Sequence, residues 1–352
     1  MIMRAAIQSL GPMTDRLRRA TCRWGRSSIA RLVLPAVVVC GGCQGPQSAL
    51  SPAGEGAEQI AALFWAMAIG AGMIWLIVIG LAVYVLRIAP YPHDTRSSRQ
   101  WVIGGGVVVP TLLLTILLMF GLAILPALVR PAPGGSLHVE AVGVRWWWRI
   151  IYPTPDGGSF ELANEVRLPA GEPVQFDLRS ADVIHGFWIP SLGGKVDMIP
   201  GRQTRLTLWP TTVGTYRGVC AEYCGASHAK MAFDVVVMPR AEFDTWLRQQ
   251  AQDAVDPSGS EARRGSEVFL KSGCGACHSV RGTPADGSIA PDLTHLGSRR
   301  SLAAGSLENS PDNLRRWITD PQSIKPMAVM PGFHTLSDAD LASLIAYLQG
   351  LE

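Results

Sequence analysis

The sequence has little charge and few cysteines. Charged residues make up 17% of its 352 residues, and 31 Lys and Arg stand against 28 Asp and Glu. Soluble domains usually carry roughly 25% charge. So small a positive excess excludes a strongly basic nucleic-acid binder, and 48% hydrophobic residues exclude disorder over most of the chain. Seven cysteines are too few for a disulfide scaffold of this length, so their spacing matters more than their number.

Glutamate is missing between Glu58 and Glu140, and two stretches there carry no charge at all, residues 60–86 and 101–129. Each would be about 40 Å long as a helix, more than the ~30 Å hydrocarbon core of a bilayer. We therefore predict transmembrane helices over residues 58–88 and 101–130. Two buried core helices are the alternative, but two such charge-free runs are rare in one soluble chain.

The loop predicted between these spans, residues 89–100, contains Arg96 and Arg99 against a single acid, Asp94. The positive-inside rule places this short loop in the cytoplasm. Everything after the second span then lies on the opposite side of the membrane.

The front of the chain has the pattern of an export signal. Residues 1–31 carry seven Arg and one Asp, residues 32–39 form a short apolar run, and Cys40-Gly-Gly-Cys43 follows. We predict a signal over residues 1–42, of the lipoprotein type with Cys43 lipidated. Cys40 stands where such cleavage boxes usually have Leu, and an ordinary signal with an incidental cysteine is the alternative.

After the spans the pattern changes to short β-like runs broken by Gly and Pro. Val174, Phe176 and Leu178 alternate with polar residues, as in a half-buried strand. We predict a β-sandwich or small barrel over residues 136–250, closed by a helix that contains Phe243 and Trp246.

The last part of the chain reads as a separate helical domain. Residues 251–260 are small and polar and predict a linker. Residues 261–352 then predict helices, the last of which begins at a capping box, Ser337-Asp-Ala-Asp340.

The predicted β domain contains a dense set of soft ligands. Cys220, Cys224, His228 and Met231 lie within twelve residues, and two thiolates, an imidazole and a thioether suit copper. A mononuclear blue site needs one cysteine, whereas two can bridge two copper ions, with His185 as a second imidazole from upstream. A Cys220–Cys224 disulfide would leave the other two ligands unexplained, and a structural zinc site would leave the thioether unused.

The helical domain opens with Cys274-Gly-Ala-Cys277-His278, the attachment signature of a c-type haem. The thiols would bond the haem vinyl groups, His278 would be an axial ligand, and the Pro291 carbonyl could accept the other ring N–H of that histidine. A later methionine should be the sixth ligand, and Met327 and Met330 are the candidates. We predict that His295 and His334 lie at the surface.

Residues 45–250 resemble subunit II of haem-copper cytochrome c oxidases, in the copper motif, the preceding hairpin and the stretch 192–202. The resemblance implies a cupredoxin-like Greek-key barrel in which Cys220 and Cys224 bridge two coppers of a CuA centre. The remaining copper ligands that it implies are His185, His228, Met231 and the backbone carbonyl of Glu222. The Glu222 carboxylate would bind a magnesium ion shared with the catalytic subunit.

Arg145-Trp-Trp-Trp148 resembles the aromatic patch of that family and implies Trp146 as the residue where electrons enter CuA. Trp147 and Trp148 would be mainly structural, and anchoring at the membrane interface is the alternative for all three. Met330-Pro331 fits the cytochrome c pattern of Met followed by Pro before the last helix, so Met330 is predicted as the sixth haem ligand. The hairpin lacks the carboxylate that some relatives place near a proton-uptake route.

Together these features predict a membrane-anchored, multi-domain chain: a two-helix transmembrane hairpin, a cupredoxin-like Greek-key β-barrel and an all-α class I cytochrome c domain. The resemblance implies electron transfer from a soluble cytochrome or a quinol:cytochrome c reductase through haem c and CuA to subunit I, where oxygen is reduced with proton pumping. Subunit III and membrane lipid are further expected partners, nucleic acid is not, and the bacterial inner membrane is the expected location. A CuA carrier for another reductase and a membrane-tethered copper-delivery protein are the rival functions.

Overall fold

The computed structural model describes residues 45–88, 95–154 and 156–352. The predicted export signal over residues 1–42 and the predicted lipidation site Cys43 lie outside the described residues. So do residues 89–94 of the predicted cytoplasmic loop. Residues Pro46–Glu352 form one compact unit.

Two long apolar helices come first, as predicted. Helix α1 spans Glu55–Arg87; α2 spans Thr95–Ile103 and continues through a π-helical turn, Gly104–Val108, into α3, Val109–Val129. Among the described residues these are the two segments long and apolar enough to cross a membrane, and no residue of their most hydrophobic windows is buried. The second helix begins at Thr95, inside the region that was predicted as loop.

Ten strands follow in the described residues: β1 Leu137–Val144, β2 Trp147–Pro153, β3 Ser159–Ala163, β4 Glu165–Pro169, β5 Val174–Ser180, β6 His185–Trp188, β7 Val196–Met198, β8 Thr204–Leu208, β9 Gly214–Cys220 and β10 Ala232–Met238. They form two five-stranded sheets, in the orders β3-β2-β1-β5-β8 and β4-β10-β9-β6-β7. Most neighbours are antiparallel, but β1 runs parallel to β5 and β10 runs parallel to β4.

The core lies between the two sheets, because alternate residues of each strand face inward. Val174, Phe176 and Leu178 are fully buried, which confirms the predicted alternation. Trp148 packs edge-on against Phe187 and Phe233, with ring centroids 5.4 and 5.2 Å away. This two-sheet domain is cupredoxin-like.

Helix α4, Arg240–Gln250, closes one end of the sandwich. Its Phe243 and Trp246 are buried, and the Trp246 ring lies edge-on to Tyr152 with centroids 5.2 Å apart. These are the residues whose helical spacing predicted the helix.

The C-terminal domain is mainly helical, and α5 crosses α8 at its centre. Gly265 lies at the crossing, where a Cβ would come within 1.9 Å of the Ser343 carbonyl oxygen, so only glycine fits. The Ser337 hydroxyl accepts the Asp340 amide at 3.1 Å, as the capping box predicts. The elements are α5 Gly259–Lys271, a 3₁₀ turn Cys274–Ala276, β11 Ser301–Leu302, β12 Leu307–Glu308, α6 Pro311–Thr319, α7 Pro321–Ile324 and α8 Asp338–Gln349.

One prediction for this domain is wrong. His295 was expected at the surface but is only 6% exposed, because its Nε2 makes a 3.1 Å hydrogen bond with the Gln252 carbonyl at the junction of the two domains. His334 is exposed, as predicted.

Candidate metal centre and haem attachment site

The soft ligands come together where two neighbouring strands end. β6 and β9 pair antiparallel with Phe187 opposite Cys220, which brings His185 beside the start of the loop between β9 and β10. The Cys220 amide donates to the Met231 carbonyl at 2.9 Å, and this hydrogen bond closes the loop on itself. The ligands are therefore held by a strand pair and one closed loop.

Two free thiols form the middle of this cluster, with Cys220 Sγ 3.7 Å from Cys224 Sγ. Around Cys220 lie His185 Nδ1 at 3.8 Å and the Glu222 carbonyl oxygen at 3.1 Å. Around Cys224 lie His228 Nδ1 at 3.5 Å and Met231 Sδ at 3.9 Å. All six ligands implied by the resemblance therefore meet here, as two donor groups on either side of a sulfur pair.

The environment favours a thiolate. Contact with Cys224, together with the hydrogen bond to His185, lowers the pKa of Cys220 to about 3. The same contact and burial raise the pKa of Cys224, because a second negative charge beside the first is unfavourable. A thiolate is the form that binds metal, and bound cations stabilise both cysteines as thiolates.

Asp182 orients His185, a role that sequence reasoning did not assign. Its carboxylate lies 2.8 Å from His185 Nε2, which directs Nδ1 toward Cys220. Burial alone would lower the pKa of His185, but its hydrogen bonds with Cys220 and Asp182 outweigh burial and raise it. A carboxylate three residues before a candidate histidine was the available signal.

His185 is packed so closely that its side chain has no space to move to another position. Its side chain is fully buried, and a Cβ at Gly143 would approach the imidazole Cδ2 to 2.7 Å. Trp146 and Trp148 donate their indole N–H groups to the carbonyls of Cys224 and Met231, at 2.9 and 3.4 Å. The two tryptophans therefore brace the backbone of two ligands.

The Glu222 side chain points away from the sulfur pair. Its carboxylate lies 3.3 Å from Lys195 Nζ, which also binds Asp197 at 2.7 Å. The carbonyl and the carboxylate of Glu222 thus have different partners, as the resemblance implies. The carbonyl faces the sulfur pair, and the carboxylate lies beside the exposed Lys195 ammonium.

The haem motif forms a tight turn. Nδ1 of His278 lies 2.7 Å from the Pro291 carbonyl, as predicted, which leaves Nε2 for iron. Burial lowers the pKa of His278, so the imidazole is neutral at pH 7 and its lone pair is free to bind a metal. The His278 imidazole is therefore suited to bind a haem iron through Nε2.

The two candidate methionines differ in their surroundings. Met330 is half-buried and packs against the hydrophobic core of the C-terminal domain, whereas Met327 is 68% exposed. Cys274 is half-buried and Cys277 exposed, both as free thiols. A thioether held against the core is better placed as an axial ligand than one in solvent.

The C-terminal domain lies directly on the loop between β9 and β10, residues 220–231, which we call the copper loop. Ser227 Oγ donates to the Pro326 carbonyl at 2.7 Å, and the Lys230 ammonium donates to the Ile324 carbonyl. The Ala232 amide donates to the Ala304 carbonyl at 3.1 Å. In the β domain these contacts are made by residues next to His228 and Met231. In the C-terminal domain two of them are made by residues shortly before Met330 in the sequence.

Fold and sites together define a class of protein: membrane-anchored electron-transfer chains that join a cupredoxin-like copper domain to a c-type cytochrome. Residues 156–238 match the family of the cytochrome c oxidase subunit II periplasmic domain. Residues 262–352 match the cytochrome c family.

Curated relatives extend the match over most of the chain. Cytochrome c oxidase subunit 2 of Alkalihalophilus pseudofirmus is 34% identical over 88% of this chain and 93% of its own length. The subunit 2 of Bacillus sp. strain PS3 is 34% identical over 70% and 72%. The crystal structure of the periplasmic domain of cytochrome oxidase subunit II from Bradyrhizobium japonicum is 31% identical, covering 35% of this chain and 96% of that one, with a TM-score of 0.32. The chain belongs to the cytochrome c oxidase subunit 2 family.

Proposed function

We propose that this chain is the electron-transfer subunit of a respiratory cytochrome c oxidase, with covalent haem c and a dinuclear CuA centre as its own cofactors. When bound, these cofactors would carry electrons from an external donor to subunit I, where oxygen is reduced to water with proton pumping. The observation that carries the proposal is the arrangement of four donors around the Cys220–Cys224 sulfur pair, two beside each sulfur. Two bridging thiolates with separate terminal ligands suit two copper ions rather than one.

The proposed copper ligands are held in place by the surrounding fold. Asp182 fixes the orientation of His185, and the closed loop places His228 and Met231 beside Cys224. Hydrogen-bond partners of this kind orient the side chains that bind a metal.

We assign the haem iron to His278 and Met330 and the covalent attachment to Cys274 and Cys277. The Pro291 carbonyl holds the tautomer of His278 that presents Nε2. Met330 rather than Met327 is the assigned thioether, because it is the one packed against the domain core.

Trp146 is assigned as the residue where electrons enter CuA. Its Nε1 donates to the carbonyl of Cys224 at 2.9 Å, and its ring packs against Gly225, so it touches the segment of a bridging ligand. Trp147 has a different contact, since the Arg149 guanidinium lies 5.2 Å from the centroid of its ring, and its role is taken as structural.

The Glu222 carboxylate is assigned to a magnesium site shared with subunit I. Carboxylate oxygens suit this hard cation, and the pairing of Glu222 and Asp197 with Lys195 marks the spot as one that attracts positive charge. Subunit I and subunit III would contact the two apolar helices within the lipid. The copper and haem domains would face the periplasm of the bacterial inner membrane, and Cys43 would carry lipid after removal of residues 1–42.

The experiment is to purify the complex and measure copper and haem per chain with the spectra of both. We expect two coppers, one covalent haem and the EPR signal of a mixed-valence copper pair. A single copper with a mononuclear spectrum would contradict the proposal. Two coppers without haem, released on mixing with an apo-acceptor, would favour the copper-delivery alternative.

A further inference from the structure

The C-terminal domain buries one lysine, Lys325, against the copper loop. Lys325 is the residue directly after α7 and is only 4% exposed. Its ammonium donates to the Ala303 carbonyl at 3.2 Å. Among the residues that the structure describes, no carboxylate forms an ion pair with it. Burying an unpaired ammonium is costly, so this charge calls for an explanation.

The neighbours of Lys325 on both sides belong to segments that lie on the copper loop. Ile324 and Pro326, which flank it, accept hydrogen bonds from Lys230 and Ser227. On the other side, the turn that holds its ammonium accepts the amide of Ala232, the residue after the ligand Met231.

The same turn is fixed by a second contact, from Arg217 Nη2 to the Gly305 carbonyl at 2.9 Å. Lys325 is thus enclosed between two turns of the haem domain, and both turns are anchored to the copper domain. Its position relative to the copper ligands is therefore set by the interface rather than by a mobile side chain.

Two groups act on the Lys325 ammonium besides its own burial. Burial lowers the pKa of Lys325 to about 7, Cys224 raises it, and the neighbouring Lys230 lowers it further. Of these two groups, Cys224, a proposed bridging ligand, is the one that favours the charged ammonium.

We propose that Lys325 is a tuning residue which the haem domain contributes to the copper centre: a buried cation that favours the reduced form of CuA. A centre that takes up one electron loses one unit of positive charge, so a fixed cation nearby stabilises the reduced state more than the oxidised one. Docking of the haem domain would thereby draw electrons from its own haem toward copper. This inference rests on the proposed function.

The test is a redox titration of both cofactors in the purified complex at pH 6, where the amine is protonated. Lys325→Met removes the charge at similar length, and Lys325→Arg keeps it. We expect Lys325→Met to weaken copper reduction about tenfold, the order of effect for a buried unit charge, which is about 59 mV for a one-electron centre. Lys325→Arg should stay within twofold of the parent, and the haem potential should move less than the copper potential.

Two further lysines serve as controls. Lys271→Met removes an exposed cation from the same domain, one that pairs with Glu267 and makes no contact with the copper domain among the hydrogen bonds and ion pairs of the described residues, and it should change nothing. Lys230→Met removes an exposed cation and one hydrogen bond at the interface, and should shift the copper potential less than Lys325→Met, because water screens an exposed charge. Equal shifts in the two interface variants would show that burial is not the cause.

Docking is followed separately by hydrogen exchange of the Ala232 amide, whose hydrogen bond crosses the interface. An unchanged copper potential in Lys325→Met with a protected Ala232 amide would overturn the inference, as would an equal shift in Lys325→Arg. Should Lys325→Met release the domain, Lys325→Gln, which keeps a donor for the Ala303 carbonyl, replaces it under the same criteria. Loss of the mixed-valence spectrum in the parent protein would instead count against the proposed function.

Discussion

The copper and haem sites are built in different ways. The copper donors contact one another directly, at 3.1–3.9 Å, and five of the six come from one loop, with His185 added from a paired strand. At the proposed haem site His278 and Met330 belong to separate segments, and each is held by its own neighbours, the Pro291 carbonyl for one and the domain core for the other. The proposed copper site is arranged by local structure, whereas the proposed haem site depends on how separate segments pack together.

The comparison predicts that the copper site can be destroyed without touching the haem site. Cys220→Ser should abolish the dinuclear centre, because a serine hydroxyl does not supply the soft bridging thiolate that two coppers need. The haem spectrum should remain nearly intact, since domains with separate cores usually fold independently. Copper content, the near-infrared band and EPR measure the first effect, and the haem absorption spectrum measures the second.

The matched control is Cys277→Ser, which should impair haem attachment and leave both coppers in place. A Cys220→Ser protein with two coppers and a normal mixed-valence signal would show that the loop is not the metal site. Loss of both cofactors in either variant would show that the two domains do not fold independently.

The haem site should respond to its axial ligand in a graded way. Met330→His should give a low-spin bis-imidazole haem, because a more basic donor replaces the thioether and lowers the potential. We expect a fall on the order of 0.2 V, within the ~0.8 V range over which axial ligands tune haems. Redox titration and the weak iron–methionine charge-transfer band measure the change.

Met327→His is the control for this prediction, since the Met327 side chain is 68% exposed and three residues away. It should keep both the band and the potential. If the band persists in Met330→His and disappears in Met327→His, the ligand is Met327; if both variants keep it, the sixth ligand is a different residue.

The two sites also differ in how well the sequence predicts them. The sequence predicts most of the copper ligands from their spacing alone, because they are near neighbours on a single loop: Cys220, Cys224, His228 and Met231. His278 and its Pro291 partner were predicted too, since the CxxCH motif marks the histidine and metal-binding imidazoles usually donate their other N–H to a partner. The strand alternation around Phe176 and the cap at Ser337 follow from local periodicity and hydrogen bonding, and they were predicted for that reason.

Residues at the junction of the domains could not be predicted in the same way. His295 was predicted at the surface and Lys325 was not singled out, yet both are buried. Their burial depends on segments far away in sequence, such as Ala303 and Gln252, and single-residue patterns carry no signal for such contacts. Asp182 was visible beside His185, but its role required the observed 2.8 Å contact.

Asp182 tests how far the preformed copper site depends on its support. Asp182→Asn should lower copper affinity about 10–100-fold, the usual effect of removing the partner of a metal-binding imidazole. The carboxylate accepts from His185 Nε2, the Arg145 amide and the Val183 amide. An asparagine has one acceptor oxygen and cannot serve all three donors.

Copper affinity is measured by competition with a chelator. Asp177→Asn is the control, because Asp177 pairs with the exposed His138 on the same domain and should not affect copper. Equal affinities in the two variants would mean that the position of His185 does not depend on Asp182.

The smallest effect on copper is expected at Glu222, whose carbonyl is proposed to bind copper and whose carboxylate is proposed to bind magnesium. Glu222→Gln keeps the backbone carbonyl, which lies 3.1 Å from Cys220 Sγ, so the copper spectrum should be almost unchanged. It removes the carboxylate charge that faces Lys195, so the complex should bind its divalent ion more weakly, because a neutral amide is a poorer ligand for a hard cation. Manganese substituted for magnesium makes this loss visible by EPR.

Asp197→Asn, which removes the other acid at Lys195, should weaken the manganese signal less than Glu222→Gln if Glu222 is the ligand. A manganese signal unchanged in Glu222→Gln, with copper equally unchanged, would restrict Glu222 to its backbone role.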